Sequence, residues 1–514
     1  MSLISRLTSS PTLSSERNQS VHRKSNLLTP LVLAALAGCC NLPSVGPDYK
    51  PLEIKDAHYA LPDAGYPTDA LGETTAYKPA EGAGDVRTVI TTNELANWWT
   101  RFDDPVLTDL VESARTNNLA FRMAIWKLSQ SEYELRGAMA AFLPKFDLGA
   151  AWNKNRLEKF SASGGAATRY QAQQAALNGD WEIDIFGGNR RQTEAALDLA
   201  QAAGWTVADA WVSLSTQIGQ QYVRLRTTQE RLEVARTNLV LQAETYEILK
   251  SRLDSGIGDE LAVNQCAYIL EQTRANIPGL LAEEEELKNA LAILAGKTPG
   301  ELEETLKPFA QRRDWLLAPQ KVAELPLDLL RNRPDVMIAE RQLAAQTAMI
   351  GVAKAQWFPK LFINGQVGFK NTNETRLFDK ASFFSALGPA VSWPIFQGGA
   401  IYANVKATEA KAEQAALNYE LAVDKAYGEV RNAYAAYTQE YHRNKSLQIA
   451  VKAATDAVAI SKDLYKNGLK DFNNVLDAQR SRLTLEEAYV VSRGNITLDL
   501  IALYKSLGAG IPTR

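Results

Sequence analysis

Between Pro394 and Pro512 the chain contains no proline and is rich in Ala, Leu, Glu and Lys. Such a run propagates helix. One stretch interrupts it, Tyr465-Lys-Asn-Gly-Leu-Lys-Asp-Phe-Asn-Asn-Val-Leu-Asp-Ala-Gln-Arg480. Gly468 is a helix stop and Asp471 a restart. The pattern predicts two helices joined by a tight turn, the first of roughly 65 residues and about 100 Å. A hairpin of that reach is not the core of an ordinary domain. Function is therefore sought at the turn that ends it.

Charge and motifs exclude several classes. The 514 residues carry a formal net charge of −3 and are 46% apolar. No basic stripe is present to displace phosphate counterions, which argues against nucleic acid. The cysteines are Cys39, Cys40 and Cys266, and the histidines His22, His58 and His442. They form no zinc-type spacing, and no HExxH, GxGxxG, P-loop or GxSxG occurs. No catalytic residue, metal ligand or cofactor is assigned, and the chain is not expected to be an enzyme. Carboxylate-only catalysis has no specific pointer among the 59 acidic residues.

His22-Arg-Lys24 precedes Leu27-Leu-Thr-Pro-Leu-Val-Leu-Ala-Ala-Leu-Ala-Gly38, a basic region followed by a short apolar one. This reads as a secretory signal over residues 1–38 and is too short to span a bilayer. Leu36-Ala-Gly-Cys39 looks like a bacterial lipobox, with Cys39 lipidated; plain cleavage near Gly38 is the alternative. Two or three acyl chains, palmitate among them, would anchor the chain stably. Residue 40 is not aspartate, the residue that favours inner-membrane retention. Residues 1–20 are polar, and the signal is complete from Val21, an alternative start.

From residue 39 to 104 the chain reads as a lipid anchor and an extended segment, Pro/Gly/Ala-rich from Val45-Gly-Pro-Asp-Tyr-Lys-Pro51 to about Val86. Asp104-Pro105 then opens a helix expected to run to about Ala141. The period next changes to two. Phe146, Leu148, Ala150 and Trp152 alternate with Lys145, Asp147 and Asn153. Ala175, Leu177, Trp181, Ile183 and Ile185 alternate with Gln174, Asn178, Asp180, Glu182 and Asp184, giving a long hairpin with one apolar and one polar face. From Asn189 to Ile277 there is no proline, and a turn at Ser255–Asp259 divides two helices. Glu283–Glu286 reads as a solvated face.

The pattern then recurs. A helix around Asp335–Trp357 leads to strand residues Leu361, Ile363, Val367 and Phe369. A weaker strand follows through Phe383, Leu387, Val391 and Trp393. Pro144 and Pro359 lie 215 positions apart, and Tyr222 and Tyr434 lie 212 apart, as do Gly256 and Gly468. The mature chain thus reads as two repeats, 105–311 and 312–514, each helix, β-hairpin and long helices.

Strands with one apolar and one polar face, in a secreted lipoprotein, fit a transmembrane barrel with a wet lumen. The alternative is a sandwich with one solvated face. Four strands cannot close alone, because open edges are not tolerated in lipid. Two chains would supply about eight strands and three about twelve; polar inward faces favour three. The helices would extend into the periplasm, with Leu476, Leu483 and Val490 stepping by seven as a coiled-coil seam.

Several further stretches complete the pattern: Trp98-Trp-Thr-Arg-Phe-Asp-Asp-Pro105, Trp181-Glu-Ile-Asp-Ile-Phe-Gly187, Arg333-Pro-Asp335, Ala339-Glu-Arg341, Trp357-Phe-Pro359, Trp393-Pro-Ile-Phe-Gln-Gly-Gly399 and Val475-Leu-Asp-Ala-Gln-Arg480. With the lipobox and Val45–Pro51, the chain resembles outer-membrane factors of the TolC and OprM type. It is close to the lipoprotein branch serving resistance-nodulation-division efflux pumps. The resemblance implies a homotrimer with a twelve-stranded outer-membrane β-barrel, four strands per chain, continued by an α-helical periplasmic tunnel. It implies partners too: a periplasmic adaptor and an inner-membrane pump. It places Asp477 at the periplasmic constriction, with Arg480 a candidate for a latch of ion pairs. Asn473 and Asn474 depart from the apolar or acidic residues common there. A ring of Asp477 would favour a bound cation or raised pKa values, whereas spacing alone favours a surface Asp477–Arg480 pair. The turns carrying Gly256 and Asp259, and Gly468 and Asp471, would meet the adaptor, or are simple helix stops. Two other functions fit the same scaffold, a type I protein-secretion outlet and a non-conducting envelope scaffold. The exported substrate is not written in the residues.

Overall fold

A computed structural model describes residues 44–51, 95–157, 168–309, 331–372, 376–467 and 469–510. The signal, Cys39, most of the segment expected to be extended, the loop near residues 161–165 and Gly468 lie outside the described residues. The described elements fall into two compact units, one holding residues 145–187 and 358–393, the other holding the helices.

The first unit is a four-stranded antiparallel sheet in the order β1 (Lys145–Leu157), β2 (Thr168–Ile183), β3 (Lys360–Asn371), β4 (Phe383–Ser392). Its register carries the alternation of each strand onto common faces. Leu148 pairs with Leu177 and Leu177 with Val367, while Ile183 pairs with Leu361 and Leu361 with Val391. The rings of Phe369 and Phe383 meet edge-on at 5.8 Å on this apolar face. The face is uncovered within one chain, with Leu148 81% and Leu387 82% exposed. Behind it run Lys145, Asp180 and Asn364, and then Asp147, Asn178 and Gln366. Lys360 Nζ lies 3.0 Å from Glu182 Oε1 on the same side. β4 departs from the expected pattern, because its second face carries Phe384, Ala386, Gly388 and Ala390. An aromatic and small residues there, rather than polar ones, explain why its period is weak in the sequence. β2 ends at Ile183, so Ile185 lies beyond the ladder.

The helical unit contains α1 (Pro105–Asn117), α2 (Leu119–Met139), α3 (Gly188–Asp254), α4 (Glu260–Leu294), α5 (Pro334–Ala355), α6 (Ala400–Lys466) and α7 (Phe472–Ser506). α3 and α6 are 67 residues each, and α4 and α7 are 35 each. At about 1.5 Å per residue the longer pair spans about 100 Å. α4 runs on through Pro278, which sits on an exposed face.

The unit is centred on aromatic side chains. Trp98 is fully buried against Tyr504, with ring centroids 6.0 Å apart. Gly219 makes room for it, since a Cβ there would lie 2.4 Å from the Trp98 ring. Asp104 caps α1 as expected, accepting the Val106 N–H at 2.8 Å, and its second oxygen accepts the Tyr222 hydroxyl at 2.8 Å. Part of the segment read as linker is instead strapped down. Gly46 packs onto the Gly351 backbone, Arg191 Nη2 binds Asp48 Oδ1 at 2.5 Å, and the Tyr49 hydroxyl donates to Glu340 Oε1 at 3.3 Å.

The helix expected over 105–141 is broken at Asn118, whose ψ of 125° is extended. Its side chain caps α2 by accepting the Phe121 N–H at 2.8 Å and donates to the Leu294 carbonyl at 2.9 Å. The break therefore ties the start of α2 to the end of α4. Asn118→Ala removes both bonds and is expected to cost about 2 kcal/mol, read as a lowered denaturant midpoint; Asn117→Ala, at an exposed position, should leave the midpoint unchanged.

Candidate functional site

The two interhelical turns were the sequence-predicted site, and the first is built for sharp reversal. Gly256 has φ +71°, its N–H donates to Leu253 O at 2.9 Å, and the Ile257 N–H reaches back to Arg252 O at 3.1 Å. Asp259 then caps α4 by accepting the Leu261 N–H at 2.9 Å. A Cβ at Gly258 would lie 2.4 Å from the Leu253 nitrogen, so glycine is required by space there. In the second turn the Leu469 N–H donates to Leu464 O at 2.9 Å, the same wrapped ending. Asp471 occupies the position before α7, but its side chain makes no cap. Its carbonyl serves instead, accepting the Asn474 N–H and Nδ2 at 3.2 Å each.

Below the turns an apolar cluster clasps the two hairpins together. Leu249, Cys266 and Ile269 of the first pack with Phe472, Val475 and Leu476 of the second. The Tyr465 ring meets Phe472 edge-on at 5.2 Å, and the Arg252 guanidinium sits 5.3 Å over Tyr465. Burial pushes the Cys266 thiol up to about 11, so it stays protonated and unreactive. At the tip itself Ile257, Leu261 and Leu469 are exposed.

Asn473, Asn474, Asp477 and Arg480 lie on the exposed side of α7, opposite Val475 and Leu476. No ion pair joins Asp477 to Arg480 among the described residues. Arg480 instead stacks 5.5 Å over the Tyr268 ring of α4, so the surface pair that spacing favours does not form. Leu476 and Val490 are buried and Leu483 is half-buried, in keeping with the seven-residue step.

Residues that sequence reasoning did not single out hold α3 to α7. Arg493 Nη1 lies 2.9 Å from Glu230 Oε1, Arg231 Nη2 2.8 Å from Glu487 Oε1, and Asn238 Nδ2 3.2 Å from Glu486 Oε2. These partners are about 250 positions apart, and no local signal pairs them. Glu284 is another correction, because within the supposedly solvated Glu283–Glu286 run it is buried. It accepts from Gln229 at 3.0 Å and pairs with Lys288 at 2.9 Å, which together hold its pKa below the usual range despite burial. Asp499 of α7 goes the other way. Burial, with Glu440 of α6 nearby, raises it to about 6.

Two long helical hairpins and strands with one apolar and one wet face together define a channel-forming protein of the bacterial outer membrane. The chain belongs to the Outer membrane efflux protein family, whose model matches residues 110–297 and 325–509. It is 30% identical to Nodulation protein T of Rhizobium leguminosarum bv. trifolii, over 88% of this chain and 90% of that one. It is 27% identical to the outer membrane protein OprJ of Pseudomonas aeruginosa, over 80% of this chain and 86% of the relative. Among solved structures it matches the outer-membrane channel OprN with a TM-score of 0.78 and 31% identity, covering 91% of this chain and 99% of that one.

Two measurements check this geometry. Gly258→Ala should open the first turn and increase protease cleavage there, whereas Gly256→Ala, strained only by its positive φ, costs about 1 kcal/mol and leaves the turn closed. The raised Asp499 makes ionisation unfavourable in the fold. The resulting loss of stability is absent below pH 3.8, develops as pH rises toward 6 and is complete above it. Asp499→Asn should flatten that part of the stability–pH curve and raise the unfolding midpoint at pH 7.5.

Proposed function

We propose that the chain is the outer-membrane channel component of a tripartite efflux system, passing small molecules from an inner-membrane pump and a periplasmic adaptor to the exterior. The observation that carries this reading is the sheet. Four strands expose an apolar face, and β1 and β4 have no second partner strand among the described residues. In lipid those edges must be paired by other copies. Three chains would supply twelve strands, and the row of Asp, Asn, Gln and Lys side chains would line a water-filled bore. The helices would form a tunnel in the periplasm, anchored by a lipidated Cys39 after removal of residues 1–38. The two repeats, 105–311 and 312–514, would be variants of one unit, in keeping with helices matched at 67 and 35 residues.

At the far end, the turns with Gly256 and Asp259, and with Gly468 and Asp471, would meet the adaptor. Exposed Ile257, Leu261 and Leu469 give that tip an apolar contact surface. The pump would be of the resistance-nodulation-division type. Asp477 would line the constriction, with Asn473 and Asn474 beside it and Arg480 at its margin. The absence of an Asp477–Arg480 pair supports this reading, since Asp477 keeps its charge uncompensated by that neighbour. Three such carboxylates around an axis repel one another and attract cations. An outer duct sees only what its pump delivers, so the cargo is set by the pump.

Recording purified trimers in planar bilayers tests the proposal. Asp477→Ala is expected to raise single-channel conductance and weaken block by divalent cations. Trimers that do not conduct would leave only the scaffold reading, and unchanged conductance and block would remove Asp477 from the constriction.

A further inference from the structure

The two repeats match helix for helix, but their helices are not equally covered. A shift of 215 positions, the interval between Pro144 and Pro359, carries Leu119 at the start of α2 onto Pro334 at the start of α5. A shift of 212 carries α3 onto α6 at both ends, Gly188 onto Ala400 and Asp254 onto Lys466. Yet α5 packs along both α3 and α6, whereas α2 packs along α3 and along no second long helix among the described residues. Trp126 and Tyr133 of α2 are accordingly 69% and 65% exposed, with Met123 exposed on the same side. Large apolar side chains grouped in this way mark a contact surface.

The contact that α2 lacks is the one that α5 makes with α3. There Ala345 and Ala348 close on Ala195, and Arg341 Nη1 lies 3.6 Å from Asp198 Oδ1. The repeat carries Ala348 onto Tyr133 and Arg341 onto Trp126. On the facing helix it carries Ala195 onto Ala407 and Asp198 onto Ala410. The ion pair is thus replaced on both sides, the guanidinium by an indole and the carboxylate by a methyl group. Ala403, Ala407 and Ala410 step by four and three along one flank of α6, and all three are exposed. A row of small side chains leaves a groove into which bulky ones fit. The same incompleteness recurs where helix and strand join. Phe186 stacks on Phe358 with ring centroids 4.7 Å apart. Their counterparts are Phe396, in the echoed Ile-Phe pair, and Leu143, before the echoed Pro-Lys pair; Phe396 is 89% exposed and Leu143 is exposed too.

We propose that α2 docks on α6 of a second copy of this chain, with Trp126 seated over Ala410 and Tyr133 over Ala407, as α5 docks on α3 within one copy. The proposal rests on the ring of copies proposed above and assigns the residues of its helical seam. A second copy is the occupant because the two open flanks complement each other at the positions the repeat makes equivalent: bulky residues on α2, small ones on α6. The contact is head-to-tail, since every copy presents one flank of each kind, and successive copies add until the ring closes. Along the chain α2 leads into β1 and α6 follows β4, the two strands with an open edge among the described residues. One operation therefore brings together α2 and α6, Leu143 and Phe396, and the two strand edges.

In the full chain in outer-membrane vesicles, Trp126→Cys combined with Ala410→Cys should give covalent two- and three-chain species with a short bismaleimide. Neither single variant should, which controls for the native cysteines. Ala410→Trp should abolish the three-chain particle in native mass spectrometry, and adding Trp126→Ala should restore it; a defect confined to the fold of α6 would not be rescued from α2. Should the first cysteine pair fail to fold, Tyr133→Cys with Ala407→Cys reads the same seam. Three-chain particles that persist without a crosslink at either pair overturn this docking and leave the channel reading standing. A wild-type chain that stays monomeric overturns both. Crosslinking of Trp126→Cys alone would mark a two-fold contact of α2 with itself and also overturns the proposal.

Discussion

The constraint on which the rest of this structure depends is an unclosed sheet. Among the described residues β1 pairs with β2 alone and β4 with β3 alone, so each edge presents a row of N–H and C=O groups. In lipid each unsatisfied group costs several kcal/mol. Its apolar face, carrying Leu148, Leu387 and Val391, is equally unprovided for within one chain. Under the proposed assembly, closure by further copies would resolve edges and face together.

The helical unit solves a different problem, holding helices of about 100 Å in register. It does so with separated apolar clusters rather than one continuous core. The Trp98, Tyr222 and Tyr504 cluster sits around residues 211–225 of α3, and the Phe472 clasp sits below the turns. Between them the α3–α7 seam is largely polar, with Arg231–Glu487 and Asn238–Glu486 partly open to solvent. Pairs of that kind each contribute at most about 1 kcal/mol. The seam is therefore the softer stretch, and the clusters are where truncating an aromatic costs most, about 3–5 kcal/mol.

Much of the candidate site was legible, for local reasons. A wrapped helix ending needs a positive-φ residue and a restart needs a cap, so Gly256 and Asp259 stand out. The seven-residue step of Leu476, Leu483 and Val490 marks the packed side of α7 and hence the open side that carries Asp477. The misses have local causes too. Asn118 follows Asn117 in a stretch with helical period on both sides, and its cap on Phe121 together with its bond to the distant Leu294 carbonyl makes the break worthwhile. Arg480 is one turn from Asp477, yet the Tyr268 face on α4 offers it an aromatic partner instead.

What the residues determined by themselves was the kind of each element, its length and the character of its faces. Those follow from period, proline placement and capping, all confined to neighbouring residues. Only the tertiary structure decided which charges meet. Arg333 sits buried among Asp335, Glu429 and the Ser506 carbonyl, and Arg226 lies between Tyr222 and Phe309. The 56 Lys and Arg residues and 59 Asp and Glu residues allow very many pairings. Charge carries no address along the chain, and the choice among those pairings is made by which helices the apolar side chains bring together.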